Sequence, residues 1–327
     1  MKKIKIAAVT GPTASGKTAL AIALAKRLDG EIISCDSMQI YRGMDIGTAK
    51  PTKAELAEVP HHLIDVLPAD APYSCSDYVK DAERAVQDIS SRGKLPIFCG
   101  GTGLYLDRFL KGGNDDSAAC DEGLREELKA FANEKGVDAL YERLVVLDPE
   151  AAATIHKNNV KRVIRALEIY DLTGKPKSYF DELSRSSRGE VEVGMITLDF
   201  HNRDNLYKRV DERVDLMIEE GLVDEVRELY SSGILKKDTT AAAAIGYKEV
   251  IGYLDGEMSL EQTVELIKLS TRRYAKRQLT WFRHERDALR LYIDTEDGVM
   301  KSHSELLNET INLAQEIINK RGNKNET

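Results

Sequence analysis

Long apolar stretches and paired cysteines are both missing from this sequence of 327 residues. No apolar run approaches the roughly 20 residues that a helix needs to cross a bilayer, so we expect no membrane span. The first three residues lead directly into an apolar segment without the pattern of a signal peptide, and we expect a cytoplasmic protein. The cysteines form no C-x-x-C pair, which argues against zinc ligation and disulfides and predicts free thiols at Cys35, Cys75, Cys99 and Cys120.

An excess of positive charge is also missing, because the formal net charge is −8. This total argues only weakly against nucleic acid binding, since the charges are unevenly distributed. Residues 156–165 carry four basic side chains and no acid, and residues 268–290 carry eight basic side chains against two acids. Local basic stripes favour phosphate contact, although a solvated helix face is the alternative interpretation.

A glycine-rich loop near the start of the chain is the strongest motif. Residues 11–18 read GPTASGKT and match the phosphate-binding P-loop, G-x-x-x-x-G-K-[ST], at every fixed position. An apolar segment precedes the loop, and an Ala/Leu-rich segment follows it and predicts a helix over residues 19–28, closed by Gly30. The loop therefore predicts a site for a di- or triphosphate, with Lys17 adding charge and the Thr18 hydroxyl available to Mg²⁺.

The rest of the pattern predicts an α/β fold, with a P-loop NTPase-like parallel sheet flanked by helices. Further strands are expected at residues 31–35, 61–66, 95–99, 191–200 and 289–293. From about residue 115 the alternation of strand and helix stops, and successive helical segments up to a polar linker at 181–190 predict an inserted all-helical lobe. We expect a catalytic core of residues 1–114 and 191–327, with a helical insertion at 115–190. Helices are also expected at 205–231, interrupted at Gly221, at 239–254 and 259–284, and beyond 302, before a partly disordered polar end at 321–327.

Two polar positions follow predicted strands of this sheet. Asp36 comes directly after the second strand and Thr102 after a glycine turn that ends the fourth, so both should lie near the P-loop at the carboxyl edge. An aspartate there is a candidate general base, and Thr102 is a candidate partner of its carboxylate or of a substrate. Arg209 and Arg213 are four residues apart on one predicted helix face and are candidates to clamp phosphate oxygens.

Taken together, the motifs resemble those of the bacterial tRNA dimethylallyltransferases, also called tRNA isopentenyltransferases, over nearly the whole chain. The segments that carry the resemblance lie at residues 11–18, 36–39, 41–50, 61–65, 100–105, 162–168, 244–249 and 271–283. Two departures are an asparagine at position 159, where the family commonly has an acid, and the pair Ala242 and Ala243, where it frequently has Met-Gln.

The resemblance implies transfer of a dimethylallyl group from dimethylallyl diphosphate to N6 of the adenine 3′ of the anticodon in tRNA, by a monomeric, magnesium-dependent enzyme. It implies catalytic roles for Asp36, as general base, Thr102 and Arg209. It implies that the diphosphate binds Gly11, Pro12, Thr13, Ala14, Ser15, Gly16, Lys17, Thr18 and Arg213, with Mg²⁺ on Thr18. It implies that the insertion contacts the anticodon stem-loop and that tRNA meets Asp36, Ser37, Met38, Gln39, Thr102, Arg125, Lys161, Arg162, Arg165, Arg273 and Arg277.

Three other functions remain open at this point. An adenylate isopentenyltransferase would use the same donor with free AMP, ADP or ATP, but it would not need a helical insertion or basic helices. A P-loop kinase for a small molecule would use ATP, the habitual ligand of the motif, but the sequence has no clear Walker-B strand after the loop. A non-catalytic, GTPase-like RNA-binding module would not need Asp36 beside the loop.

Overall fold

The protein is described by a computed structural model that covers residues 4–111, 121–186, 191–285 and 287–320. These residues form two compact units, of which the first comprises the described residues within 1–107 and 191–327 and the second those within 108–190. The sequence-based boundary at 114/115, Cys120, Arg286 and the polar end at 321–327 lie outside the described residues. No helix in the described part of the chain is long and apolar enough to cross a membrane.

A parallel sheet of six strands forms the centre of the first unit, in the order β3-β2-β4-β1-β5-β6. The strands are β1 (Ile4–Thr10), β2 (Gly30–Ser34), β3 (His61–His62), β4 (Leu95–Gly100), β5 (Val191–Asp199) and β6 (Leu289–Tyr292). The inner strands β2 and β4 are almost fully buried, as expected for a parallel sheet covered on both faces. β4 is mostly apolar, whereas β2 also carries the buried Glu31 and Ser34. The predicted α/β fold with a parallel sheet flanked by helices is confirmed.

Helices cover this sheet and extend beyond it. They are α1 (Lys17–Leu28), α2 (Lys53–Glu58), α3 (Cys75–Ser91), α4 (Gly103–Lys111), α10 (Arg203–Glu219), α11 (Leu222–Ser231), α12 (Tyr247–Leu254), α13 (Leu260–Arg283) and α14 (His303–Lys320). One apolar core joins α1, α10 and α13 to the strands. A second core packs α10 to α13 against the loop that follows β2, which fixes the loop beside the carboxyl edge of the sheet.

The second unit is all helical in its described part and has an apolar core of its own. Its helices are α5 (Glu122–Lys135), α6 (Val137–Leu147), α7 (Pro149–Thr154), α8 (Val160–Thr173) and α9 (Lys177–Ser186). The prediction of a polar linker from residue 181 is wrong as far as residue 186, because α9 occupies that segment. The buried Asp148 carboxylate accepts a hydrogen bond from the Ser178 backbone N–H at 2.9 Å, so a residue 30 positions earlier caps this helix.

Three predicted boundaries in the first unit are also wrong. Gly30 begins β2 and does not close α1, whose left-handed C-cap is Asp29. The strand predicted at 61–66 ends after two residues, because Leu63 and Asp65 have φ of 61° and 56° and turn the chain out of the sheet. The helix predicted from residue 239 begins only at Tyr247, after a run of turns that ends where Glu249 accepts the Gly246 N–H at 2.8 Å.

Candidate active site

The P-loop joins β1, beside the middle of the sheet, to the first turn of α1. Gly11 and Gly16 have φ of 148° and 83°, which glycine adopts readily because it lacks a Cβ. Gly16 is the N-cap of α1, so the backbone N–H groups of the helix N-terminus are directed at the space above the loop. Ala14 is held at φ 62°, a strained conformation for a residue with a Cβ, of the kind found at binding sites.

A cavity of about 360 Å³ opens above this loop at the carboxyl edge of the sheet. Its volume falls within the usual range of small-molecule sites. Five loop residues line it, Thr13, Ala14, Gly16, Lys17 and Thr18, whereas Gly11, Pro12 and Ser15 are buried in the turn. Charged and apolar side chains share the lining, the latter including Ile32, Ile64, Val214, Met217, Ile245 and Ile267. The cavity therefore suits a ligand with an anionic head and an apolar tail.

Three cationic side chains line the cavity, Lys17, Arg213 and Arg277, and burial acts on the first two. Desolvation lowers the pKa of Lys17, against the opposing effect of Asp36, and the Lys17 Nζ donates to the Pro12 carbonyl at 3.2 Å. Desolvation likewise lowers the pKa of Arg213, which also lines the cavity. Holding two desolvated cations side by side is unfavourable unless an anion compensates them, and a diphosphate has the required charge.

The two candidate arginines of α10 have different surroundings. Arg213 lines the cavity, whereas the Arg209 Nε donates to the Ala14 carbonyl at 2.8 Å. Arg209 therefore supports the strained part of the P-loop backbone, and Arg213 is the arginine whose surroundings fit a ligand contact.

The Asp36 carboxylate lies in the same cavity, two residues after β2. Its Oδ1 accepts a hydrogen bond from the Met38 N–H at 2.9 Å, which fixes the side chain in a short turn. Its Oδ2 has no hydrogen-bond partner among the described residues. Gln39 continues this segment by donating from Nε2 to the carbonyls of Thr48 and Ala49 at 3.3 and 3.2 Å, so that it holds the neighbouring wall.

Thr102 follows β4 and reaches the same turn. Its N–H donates to the Cys35 carbonyl at 3.1 Å, and its hydroxyl accepts from the Ser37 N–H at 3.2 Å. A hydrogen bond between the Thr102 hydroxyl and the Asp36 carboxylate was one expectation from the sequence. The structure does not have it, because the Asp36 Oδ1 instead accepts the Met38 N–H. Thr102 is placed to position the segment that carries the candidate base.

Two site residues on α13 were not predicted from the sequence. Gln278 is buried and joins the P-loop to the glycine turn after β4. Tyr274 lines the cavity, and burial, together with the charge of Asp36, raises its pKa to about 12. Basic spacing drew attention to Arg273 and Arg277 on this helix, but no local pattern distinguishes the neighbouring glutamine and tyrosine.

The donor set suits a hard cation only in part. Thr18 supplies one hydroxyl in the cavity, and the described residues contain no cluster of three or more His, Cys, Asp or Glu side chains able to hold a metal. Mg²⁺ commonly binds through one or two protein oxygens together with substrate phosphates and water, and the site fits that arrangement.

The two neighbouring histidines have different surroundings. His61 lines the cavity, and the His62 Nε2 lies 2.8 Å from Glu31 Oε2.

The remaining predicted RNA contacts differ in how free their charges are. In the second unit, Lys161 and Arg162 are exposed on α8, whereas Arg125 and Arg165 both bind the fully buried Glu168. The charges of Arg125 and Arg165 therefore neutralise the buried Glu168 carboxylate in addition to any contact with RNA. In the first unit, Arg273 and Arg277 are exposed on α13, and the Arg277 Cζ lies 5.5 Å from the centre of the Tyr274 ring.

Comparison with known proteins agrees over most of the chain. The family described as IPP transferase matches residues 39–285, and the family described as isopentenyl transferase matches residues 4–68. A tRNA dimethylallyltransferase of Geobacillus thermodenitrificans is 51% identical over 283 residues, which are 86% of this chain and 88% of that protein. One of Geobacter sulfurreducens is 47% identical over 283 residues, 86% of this chain and 90% of that protein.

Solved structures agree as well. The full-length tRNA isopentenylpyrophosphate transferase from Bacillus halodurans is 43% identical with a TM-score of 0.74, covering 99% of this chain and all (100%) of that one. A eukaryotic dimethylallyltransferase acting on tRNA is 28% identical with a TM-score of 0.74, covering 95% of this chain and 85% of that one. The resemblance found in the sequence motifs is confirmed.

Proposed function

Because this chain belongs to the tRNA dimethylallyltransferase family, we propose that it transfers a dimethylallyl group from dimethylallyl diphosphate to N6 of the adenine 3′ of the anticodon in tRNA, releasing diphosphate. One observation carries the proposal: the P-loop, Lys17, Arg213 and Asp36 all line one cavity with apolar walls. An anion site, a candidate base and room for a short hydrocarbon thus occur together.

The diphosphate end of the donor binds the P-loop. Loop N–H groups, Lys17 and Arg213 surround it, and Arg209 keeps the loop in shape through the Ala14 carbonyl. When the allylic C1–O bond breaks, its electron pair moves onto the diphosphate. The cations are already in place for that charge, so they stabilise the transition state without reorganising.

Asp36 acts on the acceptor, the N6 amine of the adenine. The N6 lone pair forms the new bond to C1, and the N6 proton passes to the Asp36 carboxylate, whose Oδ1 is held by the Met38 N–H and whose Oδ2 has no partner among the described residues. Thr102 holds the Ser37 backbone and therefore the angle at which Asp36 meets the amine. Asp36 and the residues around it are thus also where the target base of tRNA would bind.

Magnesium is part of the proposal. The Thr18 hydroxyl would hold Mg²⁺ together with diphosphate oxygens and water. The ion, when bound, neutralises charge that develops on the leaving group.

The tRNA must present its adenine inside the cavity, which requires the base to leave its stack. The exposed Arg273 and Arg277 on α13 are proposed RNA contacts of the first unit, and the exposed Lys161 and Arg162 those of the helical unit, which would bind the anticodon stem-loop. Arg125 and Arg165 are proposed to contribute through the surface around Glu168. We further propose that the enzyme is cytoplasmic and monomeric. Size-exclusion chromatography tests whether it is a monomer.

The experiment that tests this function incubates the full chain with labelled dimethylallyl diphosphate and Mg²⁺, with either unmodified tRNA or AMP as acceptor. We expect label on tRNA alone, and a tRNA whose adenine 3′ of the anticodon is replaced serves as the matched control. Label on AMP alone would instead identify an adenylate isopentenyltransferase. ATP hydrolysis without transfer to either acceptor would identify a kinase-like enzyme and overturn the proposal.

A further inference from the structure

The Gln278 side chain joins two loops that are far apart in sequence. Its Oε1 accepts a hydrogen bond from the Thr13 N–H at 2.8 Å, and its Nε2 donates to the Gly101 carbonyl at 3.0 Å. The residue is 5% exposed and lines the cavity. Only an amide both accepts and donates in this way, because a carboxylate at the same position would face the Gly101 carbonyl with no proton to give.

The backbone is shaped to admit this side chain. A Cβ on Gly101 would lie 2.1 Å from the Gln278 Nε2, so the carboxamide occupies the space that any other residue would fill. A buried amide with both ends satisfied is held in one orientation, since rotating it would leave two groups unpaired. Gln278 is therefore a fixed part of the cavity wall.

The position of Gln278 on the P-loop is informative. In P-loop proteins the backbone N–H groups bind phosphates, and the loop lysine reaches the β- and γ-phosphates. Here the Lys17 Nζ donates to the Pro12 carbonyl at 3.2 Å, and the next N–H along the chain, that of Thr13, is already used by Gln278. Pro12 has no N–H of its own, so the carboxamide takes up the loop N–H that lies next to the carbonyl bound by Lys17, and this N–H is not available to a phosphate.

We propose that Gln278 is a specificity-determining residue that limits the P-loop to a diphosphate and excludes the third phosphate of a nucleoside triphosphate. The inference rests on the proposed function, in which the loop holds the diphosphate of an allylic donor. It explains how a motif typical of ATP sites serves another ligand. Charge alone would give the opposite preference, because a cationic site without such a barrier should bind the more highly charged triphosphate more tightly than the diphosphate.

The test titrates the full chain with inorganic diphosphate and with inorganic triphosphate, each with Mg²⁺, by isothermal calorimetry. We expect the unaltered chain to bind diphosphate at least about tenfold more tightly. We expect Gln278→Ala to reduce this preference about tenfold, mainly by improving triphosphate binding, because it frees both the Thr13 N–H and the space. Gln278→Glu should retain or increase the preference, because a negative charge at this position repels the longer anion more.

The control is Gln262→Ala, on the same helix, where the glutamine is exposed and caps the helix through the Ser259 N–H at 2.9 Å. It should leave the preference unchanged. Equal affinity of the unaltered chain for both anions would overturn the inference, as would a Gln278→Ala variant that weakens both equally, since a purely structural role predicts that result. If Gln278→Ala does not fold, equal weakening in Gln278→Glu overturns it.

The same samples separate this inference from the proposed function. Transfer to tRNA by a chain that binds both anions equally would remove only the role of Gln278. The opposite result is a chain that transfers nothing to tRNA but has a diphosphate preference that depends on Gln278. It would support the role of Gln278 and contradict tRNA as the acceptor.

Discussion

The Thr102 hydroxyl accepts a hydrogen bond from the Ser37 N–H at 3.2 Å, so it holds the residue after Asp36 and not the carboxylate itself. Thr102→Val removes the acceptor and leaves this N–H unpaired, at a cost of about 1–3 kcal/mol. We expect kcat to fall about tenfold in steady-state transfer assays, because Asp36 is less well oriented, with affinity for diphosphate unchanged. Thr102→Ser keeps the hydroxyl and should retain most of the activity. Equal losses in the two variants would contradict this role.

Asp36→Asn tests the proposed base directly. The asparagine Oδ1 can still accept the Met38 N–H, which preserves the turn, but the side chain can no longer take a proton from N6. We expect kcat for transfer to tRNA to fall by about 10²–10⁴-fold. Calorimetric titration with inorganic diphosphate should give nearly unaltered affinity. A loss of diphosphate binding would instead assign Asp36 to the donor or metal site.

Arg213 and Arg209 should differ in what they contribute. Arg213 lines the cavity, so Arg213→Ala removes a direct charge and should weaken diphosphate binding at least about tenfold. Arg209 donates to the Ala14 carbonyl, so Arg209→Ala acts through the loop and should weaken binding less. Titration of both variants with inorganic diphosphate ranks them. A larger loss in Arg209→Ala would show that the assignment of the two arginines is reversed.

Glu31 predicts a pH dependence of stability. This buried carboxylate accepts hydrogen bonds from Arg92 and also contacts His62 and Lys94, and the hydrogen bonds from Arg92 are the main reason that its pKa falls from 4.5 to about 2. A carboxylate with a lowered pKa stabilises the fold above its unfolded pKa, and this contribution is lost as the pH falls from about 4.5 to about 2. The shift corresponds to at most about 3 kcal/mol.

Chemical denaturation of Glu31→Gln at pH 7 measures this contribution. We expect a loss of up to about 3 kcal/mol and a weaker dependence on pH between 4.5 and 2 than in the unaltered chain. Glu58→Gln is the matched control, because Glu58 pairs with Lys26 at the exposed surface, where ion pairs contribute about 0–1 kcal/mol. Equal losses in the two variants would mean that the buried network around Glu31 adds nothing specific.

Trp281 is the only tryptophan of the chain and offers a direct report of RNA binding. It is 36% exposed on α13, four residues after Arg277, and a Cβ on Gly103 would lie 2.3 Å from its ring. We expect its fluorescence to change when tRNA is added, with a midpoint that shifts to higher tRNA concentration as salt increases. Arg277→Ala should shift that midpoint further. A tRNA that binds by gel shift without changing the fluorescence would exclude this face of α13 from the contact.

Much of the donor site was predictable because it is encoded locally. Eight consecutive residues specify the P-loop, whose glycines and lysine act within a few residues of one another. Asp36 was also predictable, because a residue that follows a buried parallel strand must lie at the carboxyl edge of the sheet. For Thr102 only the position near Asp36 was predictable. A sequence pattern cannot tell whether its hydroxyl binds Ser37 or Asp36, because the two differ by small distances that only the folded backbone sets.

Partners that come from distant parts of the chain were not predictable. The spacing of Arg209 and Arg213 put both on one helix face, but a shared face does not say which side chain reaches the cavity and which binds the loop. In the helical unit, the resemblance implied that Arg125 and Arg165 meet RNA, whereas the structure shows that both bind Glu168, which is fully buried. A buried carboxylate needs cationic partners, and folding decides which ones it receives.

By itself, the sequence determined an α/β protein with a phosphate loop, a candidate base at the same edge of the sheet and an inserted group of helices. These features depend on short motifs and on the period of apolar residues, which a chain carries before it folds. The tertiary structure alone decided that Gln278 binds the loop at Thr13, because these two residues are 265 positions apart and meet only when α13 packs beside the P-loop. No local pattern encodes a contact whose two halves belong to separate elements, since it is the packing of the shared core that brings them together.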